Sequence, residues 1–277
     1  MTVMEKPKKE LEWKMHTCCN YHCSYCIDQR SAFLKKPDTA LARPYAQAII
    51  KQLKEPWMIQ ILGGEPFYDE KFLIEAAEEF IAHGHWIKIF TNLSASTSMW
   101  EQFIKATYGK IYKIKATYHM NQIDFDSFLK TALFIRENIY LDTKFKIFSV
   151  VLPGTDNILR LAEAHKRFME HGLDFDVMPL IDVKTDRYHF YMKEDLDLIY
   201  YLFGKNFAHT TTVDCNKGRR CPSGLSYFII NGMDAWACWD AMMKNDKSLC
   251  YGSILDASFH LPNQETICPY DQCMCLS

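Results

Sequence analysis

Residues 11–26 read LEWKMHTCCNYHCSYC, a strand candidate at residues 11–16 that leads into four cysteines. Residues 11–16 have the length of a β-strand, and the cysteines that follow fall in a short loop. Clustered cysteines in a reducing compartment more often bind metal or react than form disulfides. The stretch therefore predicts a β-strand followed by a metal-binding loop.

The cysteine spacing narrows the choice of metal. Cys19, Cys23 and Cys26 follow the pattern C-x3-C-x2-C. Three thiolates this close together hold three irons of a 4Fe-4S cube and leave the fourth iron open, where it can chelate the amino and carboxylate groups of a small molecule. A zinc site is the alternative, because His16 or His22 would complete four ligands, although structural zinc sites usually pair their cysteines in C-x2-C units.

Outward from this loop, short apolar runs alternate with helical stretches. The strand candidates are residues 11–16, 57–62, 86–90, 111–116, 145–151 and 175–180. Several lack strict apolar/polar alternation, which is typical of parallel strands covered on both faces. Repeated β-α units imply right-handed crossovers and a parallel sheet. Six units are too few for an eight-stranded barrel, so the sequence predicts an α/β fold, a partial (β/α)6 barrel.

Composition and charge limit the possible locations and partners. Hydrophobic residues make up 48% and charged residues 24% of the 277, as in globular proteins with a large core. The net charge of −2 gives no basic field, so no nucleic-acid partner is expected. The sequence has no secretory signal and no apolar run long enough to span a membrane, which predicts a cytoplasmic protein without a membrane partner.

The ends of the predicted strands carry candidate binding residues, because the active sites of β/α barrels gather at the carboxyl ends of the strands. The second strand ends in Gly63-Gly64-Glu65-Pro66. Glycines let a backbone approach a ligand closely, and the Glu65 carboxylate is able to accept from an ammonium group. Later strand ends supply Thr91, Asn92, Thr117 and Met178, with His119 as a candidate proton donor. Taken singly, each is also typical of a turn, a cap or a core position.

Together, the C-x3-C-x2-C loop and the later Gly-Gly-Glu-Pro turn resemble the radical S-adenosylmethionine (SAM) superfamily. Tyr25, directly before the third cysteine, fits the same pattern, and Cys18 lies outside it. The resemblance implies that Cys19, Cys23 and Cys26 hold a 4Fe-4S cluster that binds SAM. The other implied contacts are those of the methionine amino group with Gly63, Gly64 and Glu65, those of the SAM carboxylate and ribose with Thr91, Asn92 and Thr117, and that of adenine with Met178.

A second cysteine group lies where helical periodicity fades, and it predicts a small domain at residues 206–277 after a core at residues 11–205. The group comprises Cys221, Cys238, Cys268, Cys273 and Cys275, with Cys215 and Cys250 as spares. A hairpin of residues 226–230 and 235–238, turning at Asn231-Gly232, lies within it. The segment resembles the SPASM/twitch extension of radical SAM enzymes and implies one auxiliary 4Fe-4S cluster. A zinc ribbon on the same thiolates is the alternative.

The resemblance implies an enzyme that reductively cleaves SAM to a 5′-deoxyadenosyl radical, which abstracts hydrogen from a substrate. A flavodoxin- or ferredoxin-type reductant would supply the electron. Two subclasses stay open, a maturase that oxidises or crosslinks a peptide and a dehydrogenase of a small polar metabolite. About ten residues precede the first strand, so no separate peptide-recognition domain is expected there. A non-catalytic zinc, iron-sulfur or electron-transfer module is the alternative class, although such a module needs no large barrel.

Overall fold

The computed structural model describes residues 6–26, 38–182, 187–207, 216–256 and 258–271. Its centre is a row of six parallel strands that pair in sequence order, as the partial (β/α)6 barrel predicts. These strands are β1 (Glu10–Lys14), β2 (Met58–Leu62), β3 (Trp86–Thr91), β4 (Ile111–Thr117), β5 (Lys144–Val151) and β6 (Phe175–Pro179). Their bounds lie close to the predicted ones, and the predicted fold class is confirmed.

Helices cover the outer face of this sheet. They are α1 (Ala42–Ile50), α2 (Glu70–Ala82), α3 (Thr97–Ala106), α4 (Phe125–Asn138), α5 (Thr155–Glu170) and α6 (Lys193–Phe203). Side-chain caps start several of them, as when Asp124 accepts from the Ser127 amide at the start of α4. The Trp13 ring of β1 packs 5.9 and 5.6 Å from the rings of Phe72 and Phe80 on α2. Side chains that alternate with Trp13 along β1 therefore face the barrel interior.

The interior face of the barrel is charged, which differs from the expectation of strands covered on both faces. On β4, Ile114 and Ala116 are fully buried on the helix side, whereas Lys113 and Lys115 are half-buried on the inner side. The same alternation places Glu10, Glu12, Lys14, Gln60, Lys88, Lys146 and Asp176 on the inner face. The physical reason is that the helices cover only one side of the sheet, so polar side chains can line the other.

The C-terminal hairpin continues the barrel sheet. β10 (Tyr227–Asn231) pairs parallel with β1, and β11 (Asp234–Trp236) and β12 (Cys250–Ser253) follow antiparallel in one nine-stranded sheet. Gly232, at φ 61°, is the first of the two residues between the paired Asn231 and Asp234, so Asn231 ends the strand. Strands from both sides of the domain boundary proposed near residue 206 therefore belong to one sheet. The boundary itself stays a prediction.

Smaller elements complete the described chain. β7 (Ile181–Asp182) pairs with β8 (Arg187–Tyr188), and β9 (Arg220–Cys221) pairs with β13 (Thr266–Ile267). The short helix α7 (Trp239–Met243) follows β11. Within the ranges that the structure describes, no helix has the length and apolarity needed to cross a bilayer.

Candidate active site

The cysteine loop leaves the carboxyl end of β1. Cys23 is buried, Cys19 and Cys26 are half-buried, and the Cys26 amide donates to the Cys23 carbonyl at 3.0 Å. The Tyr21 amide lies 3.4 Å from the Cys19 sulfur, and the Asn92 amide nitrogen Nδ2 lies 3.7 Å from it. N–H groups directed at a thiolate sulfur tune and stabilise it in iron-sulfur sites, so this loop suits a cluster.

The buried thiols of the loop need a compensating positive charge to ionise. Burial, followed by the nearby thiols, raises the pKa of Cys23 to about 11, and burial raises the pKa of Cys19 as well. Such thiols ionise only when a positive charge compensates them, and a coordinating metal does so outright. No three His, Cys, Asp or Glu side chains among the described residues are gathered in a metal-binding arrangement. The assignment of Cys19, Cys23 and Cys26 as ligands therefore rests on their spacing and surroundings.

The two glycines of the Gly-Gly-Glu-Pro turn press against the backbone of the cysteine loop. The Gly64 amide donates to the His16 carbonyl and the Glu65 amide donates to the Cys18 carbonyl, both at 2.8 Å. A Cβ atom on Gly63 would lie 2.3 Å from the His16 oxygen, and one on Gly64 would lie 2.0 Å from the Cys18 oxygen. The two glycines therefore allow a close approach of the turn to the cysteine loop, and their predicted contacts with the SAM amino group stay predictions.

The Glu65 side chain is held by groups of its own chain. It is only 1% exposed, and its predicted contact with the SAM amino group stays a prediction. Its Oε1 atom accepts from the Thr91 hydroxyl at 2.8 Å and the Phe67 amide at 3.2 Å, and its Oε2 atom accepts from the Asn92 amide at 2.6 Å. Burial raises the pKa of Glu65 to about 7, against these three hydrogen bonds. Glu65 thus ties the turn after β2 to the end of β3.

Replacing Glu65 with Gln tests this structural role. One acceptor oxygen becomes an NH2 group that faces an N–H or O–H donor, so we expect a loss of about 1–3 kcal/mol in the free energy of unfolding. Chemical denaturation of the metal-free protein measures it. Glu101→Gln, the same change at an exposed position on α3, is the matched control and should stay within about 0.5 kcal/mol of wild type. Equal stability of both variants would remove Glu65 from this role.

The end of β3 fixes the first part of the cysteine loop. Asn92 Nδ2 donates to Asn20 Oδ1 at 3.0 Å, and the Ser94 hydroxyl donates to the same oxygen at 3.2 Å. Thr91 and Asn92 are both buried, at 4% and 5% exposure. The predicted contacts of these two residues with SAM stay predictions. Neither Asn20 nor Ser94 is among the residues predicted from the sequence, although Asn20 lies between the first two cysteines of the motif.

The end of β4 fixes the second part of the loop through His119. Its Nδ1 atom lies 2.9 Å from the Tyr25 hydroxyl and 3.5 Å from the Cys23 sulfur, and its ring stacks on Tyr25 with centroids 5.9 Å apart. Burial lowers the pKa of His119 to about 4, so the imidazole is neutral near pH 7. The neutral ring is suited to positioning Tyr25 and Cys23, and its candidate role as a proton donor stays a prediction.

Two other predicted SAM contacts lie on the inner face at strand ends. Thr117 is half-buried as the last residue of β4, two positions before His119. Met178 is 37% exposed near the end of β6 and alternates with the buried Val177. Both positions are at the edge of the barrel where the cysteine loop lies, and their roles toward SAM stay predictions.

The described cysteines of the second group lie at two pairs of neighbouring strands. Cys221 pairs with Thr266 between β9 and β13, and the Cys268 amide donates to the Arg219 carbonyl at 2.9 Å. Cys238 is buried in a small apolar cluster against which Cys250 packs. Cys250, treated as a spare in the sequence, therefore becomes a candidate ligand. Cys273 and Cys275, like the spare Cys215, lie outside the described residues.

Tyr251 connects the two halves of this group. Its hydroxyl lies 3.0 Å from the Ser223 hydroxyl, and its pKa is raised by burial and further by the thiols of Cys221 and Cys238. Both thiols therefore lie within electrostatic range of one phenol group. This neighbourhood agrees with an auxiliary site that includes Cys221 and Cys238.

Metal analysis tests the auxiliary cluster. In a protein with Cys19, Cys23 and Cys26 replaced by Ala, we expect about four irons and four sulfides to remain, because the second group keeps its own thiolates. Adding Cys238→Ala should then release this iron. Iron, sulfide and zinc contents are the measurement. One zinc and no iron in the first variant would instead make the segment a zinc ribbon.

Comparisons with known proteins agree with this geometry. A family model described as "4Fe-4S single cluster domain" matches residues 14–126. A search of curated protein sequences found no match. Among solved structures, anSMEcpe with bound AdoMet and Kp18Cys peptide is 15% identical, with a TM-score of 0.58, over 90% of this chain and 78% of that chain.

Streptococcus suis SuiB is a second structural relative, in two complexes. SuiB bound to S-adenosylmethionine is 16% identical, with a TM-score of 0.61, over 91% of this chain and 64% of that one. SuiB bound to its precursor peptide SuiA is 17% identical, with a TM-score of 0.60, over 93% and 65%. The chain therefore spans somewhat less than two thirds of SuiB. Its fold is that of the radical SAM enzymes, as the sequence resemblance implied.

Proposed function

We propose that this protein is a radical SAM enzyme in which Cys19, Cys23 and Cys26 hold a 4Fe-4S cluster that binds SAM. The observation that carries the proposal is the way one cysteine loop is attached to three consecutive strand ends. The Gly-Gly-Glu-Pro turn fixes its backbone, and Asn92 and His119 contact Asn20 and Cys23. A loop held this firmly at the open edge of a barrel is suited to placing a cofactor over the interior.

The residues around the loop have distinct tasks in this proposal. When bound, the cluster supplies the electron that cleaves SAM to methionine and a 5′-deoxyadenosyl radical, which abstracts hydrogen from the substrate. Asn92 and the Tyr21 amide donate toward the Cys19 sulfur and stabilise its thiolate form. His119 and Tyr25 shield the Cys23 side. Thr117 and Met178 offer contacts on the inner face beside the loop, where we place the ribose and adenine.

We propose a peptide as the substrate and oxidation or crosslinking as the reaction. Support comes from the structural relatives, since anSMEcpe and SuiB were both captured with peptides. The charged inner face of the barrel is the observation that favours the second candidate, dehydrogenation of a small polar metabolite. A flavodoxin- or ferredoxin-type reductant, an auxiliary cluster on the second cysteine group, and a reducing cytoplasmic compartment complete the proposal.

The test is cleavage of SAM. Protein reconstituted with iron and sulfide under anaerobic conditions should convert SAM to 5′-deoxyadenosine when dithionite is added, and deuterium from a labelled substrate should then appear in that product. A protein that binds iron but yields no 5′-deoxyadenosine would be an electron carrier or a structural metal protein. This result would favour the non-catalytic alternative.

A further inference from the structure

The inner face of the barrel concentrates lysines on three neighbouring strands. In the strand register, Lys88 of β3 stands beside Lys113 of β4, and Lys113 stands beside Lys144 of β5. Lys115 stands beside Lys146 in the same way. Like charges directly opposite each other on neighbouring strands are destabilising. Anions placed beside this row of lysines would therefore stabilise it.

Among the described residues, carboxylates form direct ion pairs at the two sides of this row. Lys88 forms an ion pair with Glu10 of β1, and Lys146 lies 2.5 Å from Asp176 of β6. Lys113 and Lys115 lie between these two ion pairs. Neither lysine forms an ion pair or a hydrogen bond with any residue in the described ranges. Glu10 and Glu12 oppose part of the charge on Lys115 from a distance, but neither pairs with it, and the Glu12 Oε2 atom accepts from Trp239 Nε1 at 2.6 Å.

The surroundings of Lys115 define what it is able to bind. Its ammonium lies 4.4 Å from the ring centroid of Phe90 and 5.6 Å from that of Phe148, and all three side chains are half-buried. Burial, followed by the charges of Lys113 and Lys88, lowers the pKa of Lys115 to about 8. A cation that is costly to keep protonated gains stability from an anion. Two aromatic rings beside it offer apolar surface to a short aliphatic stem.

Lys113 and Lys115 lie on the strand that leads to His119 and the cysteine loop. Lys115 and Lys113 alternate with buried residues on β4 and face inward together with Thr117. Lys115 precedes His119 by four residues, about 13 Å at the rise of an extended strand. A group bound between the two lysines would therefore lie in the interior beneath the cysteine loop, on the strand that helps to position it.

We propose that Lys113 and Lys115 bind a carboxylate of the substrate, with its aliphatic stem between Phe90 and Phe148. The inference deepens the proposed function and rests on it, since it takes the barrel interior as the substrate site. In a peptide substrate, the carboxylate is the side chain of an acidic residue. Glutamate suits the site because its two methylenes reach past the rings while its charge meets the ammonium groups.

Competition between acetylation and binding tests the proposal in the reconstituted protein with SAM. The probe is the pentapeptide Ac-Gly-Gly-Glu-Gly-Gly-NH2, and its Gln analogue is the matched neutral peptide. We expect the Glu peptide to slow acetylation of Lys113 and Lys115 by about 10-fold at saturation, as measured by mass spectrometry, and the Gln peptide to leave it unchanged. Lys105, exposed on α3, is the internal control. Equal effects of both peptides, or no protection at all, would overturn the proposal.

Substitution of the two lysines tests the same proposal without acetylation. The Lys113→Met and Lys115→Met double variant should lose the preference for the Glu peptide in calorimetric titration, whereas Lys105→Met should keep it. A double variant that still prefers the Glu peptide by the wild-type factor would contradict the proposal. Glutarate forms a third arm: protection by glutarate as strong as by the peptide supports the carboxylate site and assigns its source to a small acid.

Failure of this inference is distinguishable from failure of the proposed function. SAM cleavage without protection of the two lysines would leave the radical SAM proposal standing and remove the carboxylate site. Protection without SAM cleavage would support a carboxylate-binding interior in a protein that does not use SAM. The binding readouts need no turnover, so the two results are obtained separately.

Discussion

A protein in which Cys19, Cys23 and Cys26 are all replaced by Ala should form no 5′-deoxyadenosine from SAM. The three thiolates are the only ligands that the C-x3-C-x2-C motif supplies, and a cluster that loses all three is not held. We expect loss of about four irons relative to wild type as well as loss of activity. Anaerobic reconstitution, iron analysis and chromatographic quantification of 5′-deoxyadenosine are the measurements.

Cys18→Ala is the matched control for this variant. Cys18 is adjacent to the motif and half-buried, and its contact with the turn after β2 uses the backbone carbonyl, which Ala retains. Iron content and SAM cleavage should therefore stay close to wild type. Continued formation of 5′-deoxyadenosine by the triple variant would show that the SAM-binding cluster lies elsewhere.

Gly64→Ala should strongly destabilise the attachment of the cysteine loop to the barrel. The added methyl would lie 2.0 Å from the Cys18 carbonyl oxygen, a backbone atom that cannot rotate away. Relief of this overlap requires breaking the Gly64–His16 and Glu65–Cys18 hydrogen bonds. We expect about 3 kcal/mol of lost stability, from steric strain together with the two broken bonds. Denaturation of the metal-free protein and iron uptake on reconstitution should both report it.

Gly204→Ala separates this clash from the general cost of adding a side chain. Gly204 has a positive φ of 50°, and an added Cβ would meet nothing within 4 Å. The cost should be about 1–3 kcal/mol, from the strained backbone conformation alone, with normal iron uptake. If Gly64→Ala took up iron as well as Gly204→Ala does, the close approach of the turn to the cysteine loop would be wrong.

The strands and the cysteine motif were accessible from sequence because both are local patterns. Each of the six barrel strands is a short segment between helical stretches, and the motif is a fixed spacing within one loop. The burial of Glu65 was not accessible, since two of its donors, Thr91 and Asn92, reach it only after β2 and β3 pair. A turn sequence alone does not say whether its carboxylate faces solvent, a ligand or the core.

The sequence also contains the inner-face lysines and Cys250, but its local pattern does not show which residues lie beside them. The lysines at 113 and 115 stand at strand period two, which indicates one polar face, yet the strands were expected to be covered on both sides. Cys250 was treated as a spare because only the pairing of β11 with β12 brings it close to Cys238. The local sequence pattern therefore predicted the strands and the cysteine motif. Pairing between distant segments determined which side chains contact each other.

The parallel pairing of β1 with β10 also has a consequence for how the chain folds. Glu12 of β1 and Trp239, just beyond the hairpin that contains β10, are 227 residues apart in sequence and in direct contact. Contacts of such long range must overcome a large loop-closure entropy, so they slow folding. Until β10 arrives, β1 has an open edge that can pair with another molecule. Pairing of β10 with β1 therefore also covers an edge through which the chain could aggregate.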